Sequence, residues 1–313
     1  MDFKSLHLQL FLLLLTFLLL FHPISSRDLN HIHGPSQFLF PKYLIGSRKG
    51  HNLEGTHTIK TYLQRYGYLS KSYNIIDTNG VYNNAYDEQL ESSIKKYQKF
   101  FQLNQSGILD TETLRQMSQS RCSVPDFFES DDNETSMTTS NLHMGSRFKF
   151  FPGRPKWPDS KNYSLTFSFI NNFPGIFKGE VGDAFLAWYE RSRFFFTEVP
   201  EGEESDIKIS FEVGDHGDGH PFRVGVLAHA FTPTDGRLHF NGDEPFSSEV
   251  AEGKYHVRSV ALHELGHSLG LAHTEILDAI MYPTLPPNFA KSINSDDVNG
   301  LWALYDNFHI GGP

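Results

Sequence analysis

The stretch 263–273, which reads HELGHSLGLAH, constrains this chain more than any other feature. His263 and His267 are four residues apart, so an α-helix would project both imidazoles from one face, one turn apart. Gly270 can adopt a positive φ and end that helix, which would turn the chain back and bring His273 towards the other two histidines. The spacing therefore predicts three imidazoles around one metal ion, with Glu264 beside it.

These residues indicate a hydrolytic zinc centre. Three neutral imidazoles leave the fourth position of Zn²⁺ open, and such a metal lowers the pKa of a water there to about 7. Glu264 is not needed as a ligand, so its carboxylate can take a proton from the attacking water and return it to the leaving amine. The short H-E-x-x-H pattern alone also arises by chance on solvated helices, but Gly270 and His273 at fixed offsets make a chance match much rarer.

Charge and the amino terminus indicate the partners and the compartment. The formal net charge is −10 and the basic residues form no long run, which argues against a nucleic-acid partner.

Residues 1–26 combine Lys4, an apolar run over 8–21 and a small-residue end, so we expect a secretory signal peptide. A membrane anchor is the alternative, but the run is shorter than the roughly 20 residues that span a bilayer. No segment after the signal peptide is expected to span a membrane, and residues 307–313 contain no hydrophobic tail, so we expect no GPI anchor either.

Apolar periodicity predicts a helical first part. Within about 58–117, the stretches 59–66 and 90–101 carry apolar residues at helical spacing, and Asp110 can cap a third, short helix. Residues 126–142 are acidic, rich in Ser and Thr and poor in large apolar side chains. We therefore expect a protease-sensitive linker there.

The pattern after residue 152 is mixed. Apolar and polar residues alternate in 165–169 and 207–211, as in half-buried strands, while 181–188 carries an apolar stripe at helical spacing. The metal motif supplies a second helix, and a third is expected to begin near Asp296. The order β, α, several strands, α, α predicts an α+β domain.

With Met281 downstream of His273 and the single cysteine, Cys122, upstream, the chain resembles the matrix metalloproteinases of the metzincin clan. The short plant type without a hemopexin domain is the most similar, and the resemblance extends over nearly the whole chain. It implies a metzincin zincin-like catalytic domain, a twisted five-stranded sheet plus three helices, preceded by a small helical peptidoglycan-binding-like prodomain. The expected division is a signal peptide (1–26), a propeptide (27–141) with a prodomain at about 55–120, and a catalytic domain (142–313).

Cys122 lies in the sequence RCSVPD, which looks like the cysteine switch of that family. A thiolate is a strong zinc ligand, so Cys122 in the fourth position would displace the water and silence the enzyme, although a lone cysteine can also be simply buried. Arg121 and Asp126 could hold the segment in place by pairing. The family has Pro where this chain has Ser120 and Gly where it has Ser123, so we expect a crowded cleft and leakier latency.

The resemblance implies further metal-related residues. Met281 would form the turn beneath the catalytic zinc. A structural zinc would be closed by four ligands, His216, Asp218, His229 and His239. Three residues are possible calcium ligands, Asp206, Asn241 and Glu244. Arg223 replaces a carboxylate of the family pattern and Asn241 replaces an aspartate, so we expect the calcium site that includes Asn241 and Glu244 to be weak or absent.

The resemblance also implies how a substrate would bind. An extended peptide would pair with the edge strand at 226–229, and a pocket would accept a bulky apolar residue just after the cleaved bond. The residues that would line this site are Leu227, Ala228, Val260, His263, Pro283, Thr284 and Leu285. One of the two aspartates Asp296 and Asp297 would bind the new ammonium after propeptide removal. The alternative for one of them is an acidic helix start that supports the macrodipole.

The sequence therefore predicts a secreted, monomeric zinc endopeptidase of the extracellular space or cell wall, activated when another protease removes its propeptide. Acceptor motifs for N-glycosylation at Asn104, Asn133 and Asn162 are compatible with that route. The alternative is a catalytically silent metalloprotease-like binding protein of the extracellular matrix, or a prodomain that recognises a polysaccharide. The intact Glu264 disfavours a silent protein, and a fold-level likeness to a wall-binding module does not carry function.

Overall fold

The structure, a computed structural model, describes residues 39–128, 147–171 and 173–305. The expected signal peptide, most of the expected acidic linker, Asn133 and the C-terminal residues 306–313 lie outside the described residues. We call residues 39–128 the helical part and residues 147–305 the mixed part.

The helical part contains the three helices that apolar periodicity predicts. They are α1 (Thr56–Arg65), α2 (Glu88–Phe100) and α3 (Thr111–Met117). Asp87 and Asp110 cap the second and third helices, because each carboxylate accepts a hydrogen bond of 2.8 Å from a main-chain N–H of the first turn. The apolar stripes meet in one core, whose fully buried members include Leu63, Leu90, Ile94, Tyr97 and Leu114.

The mixed part is built on a five-stranded sheet. Its strands are β2 (Ser164–Phe169), β3 (Phe195–Glu198), β4 (Ile207–Glu212), β5 (Ala228–Ala230) and β6 (Arg237–Asn241). They lie in the order β3-β2-β4-β6-β5, and every neighbouring pair is parallel except β5 with β6. Strand β5 is therefore an antiparallel edge strand, available on one side for pairing with another chain segment.

Three helices and four short strands complete the mixed part. The helices are α4 (Lys178–Tyr189), α5 (Val257–Ser268) and α6 (Ser295–Tyr305). The short strands pair as β1 (Lys149–Phe150) with β9 (Leu271–Ala272), and as β7 (Phe246–Ser247) with β8 (Tyr255–His256). The fold prediction is thus confirmed: an α+β arrangement of a five-stranded sheet and three helices follows a small helical part.

Helix α5 lies in the middle of the core, and its packing positions the metal motif. Trp188 of α4 donates a hydrogen bond of 3.0 Å from its indole to the Leu262 carbonyl. Gly266 faces Met281, and a Cβ at residue 266 would lie only 2.2 Å from the Met281 sulfur. A side chain at this glycine would therefore force the Met281 side chain to move.

Candidate metal centre

Three histidines converge at the end of α5. His263 and His267 lie one turn apart on the helix, which ends at Ser268. Gly270 has a φ of +103°, which L side chains rarely adopt, and it turns the chain so that His273 returns towards the helix. The Nε2 atom of His273 lies 3.2 Å from the Nε2 atoms of both His263 and His267.

These separations fit a tetrahedral zinc ion. A Zn–N distance of about 2.0 Å places neighbouring corners of a tetrahedron about 3.3 Å apart. The Cys122 sulfur lies 3.5 Å from His267 Nε2, which also fits because a Zn–S bond is longer, at about 2.3 Å. Cys122, His263, His267 and His273 each offer one ligand atom, and the four atoms lie within 4.8 Å of one another. Three nitrogens and one sulfur form a typical zinc donor set.

Main-chain carbonyls orient two of the imidazoles. His263 Nδ1 donates a hydrogen bond of 2.6 Å to the Ile280 carbonyl, and His267 Nδ1 donates one of 2.7 Å to the Leu271 carbonyl. Because a carbonyl only accepts, each Nδ1 carries the proton and each Nε2 keeps a lone pair for a metal. Burial also lowers the pKa of both histidines well below the usual value, which favours the neutral form that binds metals.

The third imidazole is oriented by the helical part. His273 Nδ1 lies 2.7 Å from Oδ1 of Asp126, and the other carboxylate oxygen, Oδ2, accepts a 2.7 Å hydrogen bond from the Tyr68 hydroxyl. Arg121 donates two hydrogen bonds to the same carboxylate, at 2.6 and 3.0 Å, and this pair is almost fully buried. The sequence indicated the pairing of Arg121 with Asp126. It gave no signal for Tyr68 or His273, which lie 58 and 147 residues from Asp126 along the chain.

The Glu264 side chain lies next to the four ligand atoms but does not belong to the donor set. Its carboxylate lies 3.6 Å from the Cys122 sulfur, and its side chain is buried. Burial raises the pKa of Glu264 to about 8. A divalent cation held by the histidines would lower it and favour the carboxylate form that a general base needs. Burial and the Glu264 carboxylate also raise the pKa of the Cys122 thiol, and a bound divalent cation would oppose both effects.

The segment around Cys122 occupies the cleft between β5 and the residues that follow Met281. Its main chain pairs with both walls, running parallel to the residues that precede β5 and antiparallel to the opposite wall. The hydrogen bonds join Arg121 N to Gly225 O (2.9 Å), Leu227 N to Arg121 O (3.0 Å), Cys122 N to Pro283 O (3.0 Å), Ser123 N to Ala228 O (3.0 Å) and Leu285 N to Ser120 O (3.1 Å). The residues expected to line a substrate site are therefore brought together and covered by this segment.

The two serines that depart from the family pattern, Ser120 and Ser123, are both engaged by hydrogen bonds. The Ser123 hydroxyl accepts a hydrogen bond of 2.8 Å from Arg65, the last residue of α1. The Ser120 hydroxyl lies 2.6 Å from the Tyr255 hydroxyl of β8. Each side chain thus gains a polar partner, one in the helical part and one in the mixed part. The hydrogen bond from Arg65 to Ser123 argues for tighter latency, and the expected leakier latency stays a prediction.

A second cluster forms where the resemblance implied a structural zinc. One oxygen of Asp218 lies 2.9 Å from His216 Nε2, 2.8 Å from His229 Nε2 and 3.1 Å from His239 Nδ1. His229 and His239 come from the paired strands β5 and β6, while the other two residues lie in the preceding loop. Burial lowers the pKa of His229 to about 3, so this imidazole is neutral. Three nitrogens around one carboxylate oxygen make a closed four-ligand set.

Two of the three possible calcium ligands, Asp206 and Asn241, are engaged within the protein. Asp206 pairs with Lys161 and accepts a 2.9 Å hydrogen bond from the Thr166 main chain. The Asn241 amide donates a 2.8 Å hydrogen bond to the Val226 carbonyl. Asp206 precedes β4 and Asn241 ends β6, at opposite ends of two parallel strands. These two residues therefore cannot share one ion, and calcium binding stays a prediction.

The two aspartates at the start of α6 have different partners. Asp297 is buried and accepts hydrogen bonds from the main-chain N–H groups of Ile280 (2.9 Å) and Met281 (3.1 Å), so it fixes the turn beneath the histidines. Asp296 accepts a 2.7 Å hydrogen bond from the main-chain N–H of Arg147, the first residue of the mixed part. Asp296 is thus the aspartate within reach of a chain end created just before Arg147.

Two family models match the chain. The model described as "Matrixin" matches residues 156–306, and the model described as "Putative peptidoglycan binding domain" matches residues 52–117. No helix among the described residues is both long enough and apolar enough to cross a membrane.

Relatives that match most of this chain come from plants and animals. Metalloendoproteinase 5-MMP of Arabidopsis thaliana is 36% identical over 94% of this chain and 86% of its own length. Metalloendoproteinase 1 of Glycine max is 36% identical over 87% of each chain. Neutrophil collagenase of Homo sapiens is 36% identical over 80% of this chain, which corresponds to 50% of the collagenase.

Proposed function

This chain belongs to the matrixin family and is a zinc metalloendopeptidase, and from that premise we propose that it is a secreted enzyme made as a latent zymogen. In this proposal it cleaves extracellular or cell-wall proteins before bulky apolar residues. The observation that carries the proposal is the position of Cys122, at the fourth corner of the three-histidine cluster and inside a segment that fills the cleft.

The catalytic roles follow from the donor set. His263, His267 and His273 would hold the catalytic zinc, and Cys122 would be its fourth ligand in the latent form. Zinc at this position supplies Lewis acidity towards a water and a substrate carbonyl. Glu264, buried and free of the donor set, would take the proton of the attacking water and deliver it to the leaving amine. Met281, packed against Gly266, would support the histidines from below.

Removal of the propeptide would free the groups that bind a substrate. The segment around Cys122 now pairs with four main-chain groups of the cleft, Leu227 N, Ala228 O, Pro283 O and Leu285 N. An extended peptide can form hydrogen bonds with the same groups. Side-chain selectivity would come from the pocket between α5 and the wall after Met281. Besides the four residues just named, we assign Val260, His263 and Thr284 to the substrate site. Main-chain pairing itself tolerates many sequences.

Several finer assignments belong to this proposal. His216, Asp218, His229 and His239 would hold a structural zinc, which stabilises the loop before β5. Asp206, Asn241 and Glu244 would contribute at most to weak calcium sites. The division into a signal peptide (1–26), a propeptide (27–141) and a catalytic domain (142–313) would make the product extracellular, monomeric and dependent on an activating protease. Further trimming of the catalytic domain to Arg147 would place the new ammonium beside Asp296.

A fluorogenic peptide with Leu after the cleavage point tests the function. We expect the processed protein to cleave it, a zinc chelator to abolish cleavage, and added zinc to restore it, because the three imidazoles alone provide no nucleophile. The unprocessed protein serves as the matched control and should be nearly inactive. Failure of folded, zinc-loaded, processed protein to cleave any peptide would instead support the silent binding protein.

The hydrogen bond between Arg65 and Ser123 should tighten latency. Replacing Ser123 with Gly or Ala removes one hydrogen bond worth about 1 kcal/mol, so spontaneous activation of the unprocessed protein should become about fivefold faster. The rate is measured as the appearance of peptide cleavage with time. Ala separates the lost hydrogen bond from the extra backbone freedom of Gly. Wild-type rates in both variants would show that the bond contributes nothing to latency.

A further inference from the structure

One buried charge in the mixed part has no role in the chemistry described above. Lys291 lies in the loop between the wall of the substrate pocket and α6, and only 9% of its surface is exposed. Its ammonium makes no hydrogen bond to any described residue. An ammonium taken out of water without a hydrogen-bond partner costs several kcal/mol, so its burial calls for a physical reason.

The main chain of Lys291 is fixed beside the first turns of α5. Its N–H donates a 2.8 Å hydrogen bond to the Ser259 hydroxyl, which in turn lies 3.3 Å from the Lys291 carbonyl. Ser259 precedes Val260 and lies one helical turn before His263, on the same face of the helix. Lys291 is therefore tied to the helix segment that we assign to one side of the substrate pocket.

The side chain of Lys291 reaches towards the other side of that pocket. Its ammonium lies 4.9 Å from the centre of the Tyr282 ring, and Tyr282 directly precedes the wall residues Pro283 and Thr284. A cation over an aromatic face gains part of the energy that burial costs, but the three N–H donors of the ammonium stay unused. The side chain thus extends from the helix side of the pocket to its wall.

Neighbouring charges do not replace a hydrogen-bond partner. Asp297 and Asp278 favour the charged form of Lys291, yet burial is the larger effect and lowers the pKa of the ammonium to about 8. The Asp297 carboxylate is already used by the main-chain N–H groups of Ile280, Met281 and Asn294. At neutral pH Lys291 therefore stays mostly protonated, with donors free for an incoming acceptor.

We propose that Lys291 is a specificity-determining residue whose ammonium binds the side-chain carboxylate of a glutamate placed just after the cleaved bond. This inference rests on the proposed function, and it extends the accepted residues from bulky apolar side chains to Glu. A glutamate matches the pocket because its methylene groups can contact Val260 and the wall while its carboxylate meets the buried cation. The apolar lining would still accept Leu, so the enzyme would cleave before bulky apolar residues and before Glu.

Three peptides that differ only at this position test the assignment: Leu, Met and Glu. Met is the apolar control of nearly the same length as Glu. The processed wild-type protein should cleave all three. Lys291→Met should reduce the ratio of kcat/KM for Glu to that for Met at least about tenfold, because a site built to bind a charged group rejects it once its partner is lost. Lys291→Gln, which keeps a donor without the charge, should lose less.

Lys254→Met is the matched control, because Lys254 is exposed and contacts the same loop only through its main-chain carbonyl, which accepts a hydrogen bond from Asn288. Its Glu to Met ratio should equal that of the wild type. Thermal melting should show that Lys291→Met is at least as stable as the wild type, since it removes a buried charge. An unchanged ratio in both Lys291 variants, or a wild type that cleaves the Leu and Met peptides but not the Glu peptide, would overturn the proposal. Loss of all cleavage in the wild type would overturn the proposed function and this inference with it.

Discussion

Replacing Glu264 with Gln should lower kcat for peptide cleavage by about 10²- to 10⁴-fold while zinc remains bound. The Glu264 carboxylate lies beside the donor set, 3.6 Å from the Cys122 sulfur, and it is not itself needed as a ligand. Gln has the same shape but cannot accept a proton at neutral pH. The reaction would lose its general base and keep its metal.

Two measurements on the processed protein check this result together. Metal analysis should find the same zinc content in wild type and variant, and peptide cleavage should give the fall in kcat. Glu252→Gln is a suitable control, because this exposed carboxylate lies in the turn before β8 and should leave kcat unchanged. A Glu264→Gln enzyme that keeps more than a tenth of the wild-type kcat, or that loses its zinc, would contradict the assigned role.

Much of the metal centre can be predicted from residues that lie close together in the sequence. The spacing of His263 and His267 on a helix, and the positive φ available to Gly270, are local properties, so residues 263–273 alone predict the convergence of three imidazoles. The helices and strands follow likewise from apolar periodicity, because each buries one stripe or one face. Such features can be predicted because each depends on residues that are close in the sequence.

The contacts that hold the cysteine segment could not be predicted in the same way. Arg65 and Tyr68 belong to the end of α1 and the turn after it, and nothing in their neighbourhood marks them as partners of Ser123 and Asp126. The sequence shows Ser123 only as an added side chain, whereas the structure supplies an arginine that donates a hydrogen bond to it. The sequence also gave no signal that Lys291 is buried, because a lysine in a loop is ordinarily exposed to solvent.

The latent form should depend strongly on the buried pair of Arg121 and Asp126. Arg121→Met leaves the Asp126 carboxylate buried with only Tyr68 and His273 as partners, and removing one member of a buried ion pair typically costs about 3 to 5 kcal/mol. Burial opposes ionisation of Asp126, and Arg121 is the largest influence that holds its pKa well below the usual range. Without Arg121 the segment loses the charge that balances this carboxylate.

We therefore expect unprocessed Arg121→Met protein to open at least about 100-fold more often than the wild type, as 3 kcal/mol corresponds to slightly more than two powers of ten. Opening is measured by the reaction of Cys122 with a thiol reagent and by peptide cleavage before processing. The two readouts should rise together, because the same segment covers both the thiol and the cleft.

Two further variants separate the buried pair from a general loss of stability. Arg115→Met removes a surface pair with Glu112 on α3, which is worth less than about 1 kcal/mol, so latency should be unchanged. Arg121→Met combined with Asp126→Asn should open less often than the two single changes predict by addition, because the second change removes the uncompensated charge. If Arg121→Met alone left thiol reactivity and latency at wild-type levels, the main-chain hydrogen bonds and the thiol would suffice to keep the cleft closed, and the buried pair would have no part in latency.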